Sequence, residues 1–210
     1  MAEASDSLLS VLKTGDIILV APPALLRWLP GRLGHRRWQH VALVVRDAEH
    51  EEPMVWEAAP AGVAGPAVRL RRLSKRLQQH AGRIGLRRLN RALEPAQCAA
   101  LAARRAELAA RQSERSLLDL MGAGEDGWLG GEQASLSAPL PPELVAQAYQ
   151  HLGLLDGAER RGRPAQDYTM RDFSEAESLH LNRGYALGPE ILLAGEPGSG
   201  GWQELTAQPV

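Results

Sequence analysis

Two apolar runs separated by eight polar residues constrain this chain more than any other feature. QHVALVV (39–45) and MVWEA (54–58) are rich in β-branched and aromatic residues, and RDAEHEEP between them is turn-like. Such a pair predicts an antiparallel hairpin. Placing His40 opposite Glu57 centres the turn on Asp47–His50, where the turn-forming residues lie. That register sets His40 and Glu57 side by side on one face. A histidine in an apolar strand is commonly a satisfied core residue; a carboxylate beside it makes the pair a candidate site as well.

The remaining elements follow from composition and period. Residues 2–13 read as a short helix, Gly15-Asp16 as a turn, and IILVA after it as a buried strand. APPALLRWLPGRLG (21–34) opens on prolines suited to a first helical turn and breaks at Pro30-Gly31. AVRLRRL (67–73) and RIGLRRL (83–89) are further strand candidates, linked by a short helix near Ser74–Gln79. Pro95 to Arg111 predicts an Ala-rich helix, with residues 115–121 adding a turn or two. Residues 121–140 form a Gly/Ser-rich loop. PPELVAQAYQHLGLL (141–155) is an amphipathic helix whose stripe is Leu144, Val145, Ala148, Leu152 and Leu155. Asp167 to Glu177 is mixed turn and helix, and YALGPEILLA is a closing strand. Strands dominate the first half and helices the second, an α+β pattern. The expected organisation is one domain over 1–195 and a linker-like tail over 196–210, anchored by Trp202.

A length of 210 residues, 44% hydrophobic and 23% charged, suits a globular domain with its own core. No apolar run reaches the roughly 20 residues of a membrane span. MAEASDSLL lacks the pattern of a secretory signal. Cys98 is the single cysteine, which excludes an intrachain disulfide and fits a reducing compartment, although the sequence names no location. No Cys/His cluster has zinc spacing, and no cofactor is expected. The net charge of −1 conceals an asymmetry: residues 1–115 hold 19 Lys/Arg against 11 Asp/Glu, residues 116–210 hold 5 against 14. The acid-free stretch carrying Arg69, Arg71, Arg72, Arg76, Arg83, Arg87, Arg88 and Arg91 is a candidate surface for an anion, RNA or an acidic partner. The plainer alternative is a solvated face, or two halves of opposite charge facing each other.

The order of parts resembles the permuted papain-like superfamily, in its NlpC-type and YiiX-like branch. LKTGDIILV resembles the family's opening strand, WQHVALVV its histidine strand, MVWEAAPAGV the strand of the third polar residue, and PPELVAQAYQHLGLL the nucleophile helix. DYTMRDFSE and GYALGPEILL resemble its closing segments, so the likeness spans about residues 12–195. It implies an antiparallel sheet or half-barrel packed against helices. It also implies His40 as base, Glu57 as the group that orients it, and a cysteine at the head of the 141–155 helix. A cysteine attacks as thiolate, helped by an imidazole and by the positive end of a helix. Here Glu143, Leu144 and Val145 align with the family's Glu-Leu-Val, which places Pro141 at the nucleophile and Pro142 beside it. Proline supplies neither an attacking atom nor an N–H donor. Ser137 lies upstream of the helix, and Cys98 sits within a different one.

Three functions follow as expectations. The first is a catalytically inactive member of this superfamily, kept as a binding or structural subunit of a larger assembly and partnered by other proteins. The second is an active hydrolase or acyltransferase with a non-standard nucleophile. The third is an RNA- or anion-binding module using the arginines of 69–91. Trp28, Trp38 and Trp56 flank the expected cleft, and core packing is their expected role ahead of lining a groove.

Overall fold

The structure is a computed structural model, and it describes residues 9–21, 38–59, 67–80, 82–122, 140–195 and 202–204. Most of the expected N-terminal helix, the segments 22–37 with Trp28, 60–66 and 123–139 with Ser137, and most of the expected tail lie outside the described residues.

Seven strands form one antiparallel sheet: β1 (Ile17–Val20), β2 (His40–Val45), β3 (Met54–Ala58), β4 (Val68–Arg72), β5 (Arg83–Arg87), β6 (Ile191–Gly195) and β7 (Trp202–Glu204). Their spatial order is β4-β3-β2-β1-β5-β6-β7. The helices are α1 (Leu73–Gln78), α2 (Pro95–Gly122), α3 (Pro141–His151) and α4 (Met170–Phe173). The fold is α+β, with helices packed against an antiparallel sheet.

Alternation along the strands sorts the core into two layers. Ile17, Leu19, Val41, Leu43, Val45, Trp56 and Ala58 point to one face, where Leu144, Val145, Ala148 and Tyr149 of α3 cover them. Ile18, Val20, Ala42, Val44, Val55, Ile84 and Leu86 point to the other, beneath Leu73 and Leu77 of α1. All four residues of β1 are buried: it has a strand on either side, and its side chains enter both core layers. Each such Ile, Leu or Val contributes roughly 1.5–3 kcal/mol by leaving water.

Two polar devices fix the layers. Gly15 has φ 100°, and a Cβ there would meet Leu89 Cδ1 at 2.6 Å, so only glycine fits this turn. Its carbonyl accepts the buried Tyr149 hydroxyl at 2.7 Å, joining α3 to the start of β1. Asp16 next to it accepts the Lys13 and Leu89 N–H groups, each at 2.9 Å. Burial nevertheless holds the Asp16 carboxyl above the usual range, against those donors and Arg88.

Four expectations need correction. The hairpin pairs Leu43 with Trp56, Val44 with Val55 and Val45 with Met54, so Glu57 stands opposite Ala42 rather than His40, a shift of two residues. The Ala-rich helix over Pro95 to Arg111 and the further turns expected over 115–121 are one unbroken helix from Pro95 to Gly122. The 141–155 helix stops at His151, with Leu152 as its cap. The expected tail contains a strand: β7 pairs with β6, Trp202 opposite Gly195.

Candidate functional site: a buried carboxylate ringed by cations

A shift of two residues preserves the face of every side chain. His40 therefore still shares a face with Glu57, set diagonally, and its Nε2 lies 2.9 Å from Glu57 Oε2. The face is the one with Ala42, Val44 and Val55, covered by α1. Helix α1 has the pattern Leu73, Arg76, Leu77, His80 at helical spacing. Leu73 and Leu77 enter the core, and Arg76 Nε donates to Glu57 Oε2 at 3.0 Å. From β4, Arg71 places its Nε 3.8 Å from Glu57 Oε1. Arg69 stands directly across the ladder from Glu57.

Glu57 is buried, and burial alone would raise its carboxyl. The His40 hydrogen bond and Arg76 outweigh it and hold the group below the usual carboxylate range. An ionised carboxylate only accepts hydrogen bonds, so His40 carries a proton on Nε2. The other ring nitrogen, Nδ1, makes no hydrogen bond to a described residue. His80 lies just past α1, its Nε2 buried and without a hydrogen-bond partner among the described residues. Burial lowers its pKa, with Arg76 and His40 pushing the same way and the Arg83 and Ala21 carbonyls pulling back.

The other parts of the expected active site are not brought to this cluster. Helix α3, headed by Pro141 and Pro142, packs on the opposite face of β2 and β3. At its head the Leu140 N–H donates to the Glu143 carboxylate at 3.2 Å, and the two prolines add no donors. Cys98 is half-buried on α2, against the α3-side core, and burial pushes its thiol up. Trp38 and Trp56 are buried in that same core. An open groove of about 430 Å³ lined by Trp56, Val68, Leu70, Ala102 and Ala106 also lies on that side, away from His40. Among the described residues no group of three His, Cys, Asp or Glu could hold a metal ion.

The arginines of 69–91 do not form one surface. Arg87 is buried and belongs to the interior: its guanidinium donates to the carbonyls of Gly188 (2.8 Å), Ser174 (2.9 Å), Phe173 (3.1 Å) and Leu187 (3.1 Å). Arg72 points to the opposite face from Arg71 and pairs with Glu52 at 3.3 Å. Arg88 donates to the Val11 carbonyl and Arg91 to that of Arg183. Alternation puts Arg83 on the Arg87 face of β5. What converges on Glu57 is Arg71 and Arg76, with Arg69 on the same face.

Sequence reasoning missed Arg76 as a member of the site, grouping it with a surface patch. The signal was present in LSKRLQ: Arg76 sits between the two inward leucines, Leu73 and Leu77, at helical spacing, so it reaches the sheet beside Glu57. No helix among the described residues is long and apolar enough to cross a membrane. No protein-family model matches the sequence, and no match was found among the curated proteins compared with it.

Proposed function

We propose that this chain works by binding, as a catalytically inactive relative of the permuted papain-like hydrolases that serves as a subunit of a larger assembly. One observation carries the reading. His40, the base held by Glu57, faces α1, while the helix that would bear the nucleophile begins with Pro141-Pro142 and packs on the other face. No thiol or hydroxyl among the described residues hydrogen-bonds the His40 ring, and a base within such reach is what nucleophile activation needs. The opposite-face placement also departs from the arrangement the resemblance implies. The binding reading therefore rests on the geometry and not on ancestry.

The test is turnover of an activated ester, a thioester and a peptide amide by the purified chain. The expected rate equals that of a His40→Ala variant for all three. Hydrolysis that His40→Ala abolishes would establish the competing reading, an active hydrolase with another nucleophile.

A further inference from the structure

We propose that the cluster around Glu57 binds a phosphate-bearing small ligand. The argument is an account of donors. Glu57 Oε2 is satisfied by His40 Nε2 and Arg76 Nε. Arg76 thereby spends one of its five N–H groups, and both of its Nη nitrogens make no hydrogen bond to a described residue. Arg71 makes no hydrogen bond within the described residues, its Nε standing 3.8 Å from the carboxylate. His80 Nε2 is buried and has no hydrogen-bond partner there. A buried polar atom left without a partner costs about 1–3 kcal/mol, so such atoms are ordinarily satisfied by something.

The unused donors beside Glu57 are of one kind: two guanidinium forks stand next to a carboxylate whose Oε2 is already occupied. Guanidinium forks match the oxygens of phosphate or carboxylate. Charge favours phosphate. Arg71 and Arg76 against Glu57 leave a surplus of one positive charge. A phosphate group carries between one and two negative charges. Glu57 has a definite part in this arrangement: it holds His40 and Arg76 in place, so that ordering them costs the incoming ligand little. The site is open on one side through Arg71, whose side chain is 41% exposed, while those of His40 and Arg76 are 14% and 17% exposed.

This inference deepens the binding reading and can fail separately from it, because it is read by calorimetry and not by turnover. The experiment is titration of the full chain with inorganic phosphate at fixed ionic strength, using wild type, Arg71→Gln and Arg72→Gln. The two variants remove the same charge from adjacent residues on opposite faces of β4, and both side chains are exposed enough for the fold to survive. Saturable binding by wild type is expected. Arg71→Gln should weaken it about tenfold or more, since a hydrogen bond to a charged group contributes roughly 1.5–3 kcal/mol. Arg72→Gln should leave it within about twofold. Absence of saturable binding overturns the proposal, and so does equal weakening by both variants, which marks a diffuse field. Acetate binding as tightly as phosphate would reassign the site to carboxylates. Binding of a short single-stranded RNA without binding of inorganic phosphate would replace the small ligand by a nucleic acid.

Discussion

Glu57 is the residue on which the site depends. Its carboxylate is buried, holds His40 and Arg76, and stays ionised below the usual range because of them. Its folded-state pKa is depressed, so the stability it contributes is present above its ordinary value of 4.5 and disappears as pH falls through the lower folded value. Glu57→Gln should cost about 3 kcal/mol near neutrality, because two cationic partners lose their counter-charge. It should also flatten the acid limb of the stability curve below about pH 4.5. Urea unfolding monitored at a series of pH values reads both effects; an unchanged acid limb would remove Glu57 from the ionised network. That His40 and Glu57 share a face was legible in the sequence, although their register was not. Registers that differ by two residues bury the same side chains, so alternation fixes the face and leaves the pairing to the turn. The turn here is centred between Glu49 and His50, one residue further along than its composition suggests.

At the scale of elements, β1 through β3 were legible because each is a short run rich in β-branched or aromatic residues, and β4 and β5 because their apolar residues alternate with arginine or glycine. β7 was not. It is three residues long, lies in a Gly/Ser-rich context, and owes its existence to the edge that β6 offers. The extent of α2 was largely legible, since the expected extra turns over 115–121 reach almost to its end at Gly122; its continuity through 112–114 was not. Arg87 shows how an arginine in a basic run can be interior: it crosses from β5 to the carbonyls at 173–174 and 187–188. Arg87→Met should therefore cost about 3–5 kcal/mol, since four carbonyls, those of Phe173 and Ser174 buried, lose their donor. Arg88→Met, one residue along and more exposed, should cost far less. Denaturant midpoints of the two variants measure the difference, and equal losses would contradict the interior role.

At the scale of the molecule, the decisive property is that the sheet has two different faces. The order of segments along a chain does not determine which face a helix covers. His40 and α3 end on opposite sides. A Pro141→Cys variant should accordingly show no hydrolysis of the three test substrates above the parent protein, and its new thiol should alkylate at the rate of an ordinary exposed cysteine. Rapid, His40-dependent alkylation at position 141 would mean that the two sides communicate around the end of the sheet. The two faces also differ in when the ribosome supplies their parts. Apart from Leu193, the layer under α1 is built from residues 12–86, so it can consolidate early in synthesis. The layer under α3 has its strand residues by position 58 but much of its cover only from 144 onward. For the intervening eighty or so residues of elongation, Val41, Leu43 and Trp56 lack that lid, which makes this stretch of translation the interval in which the nascent protein most needs a chaperone.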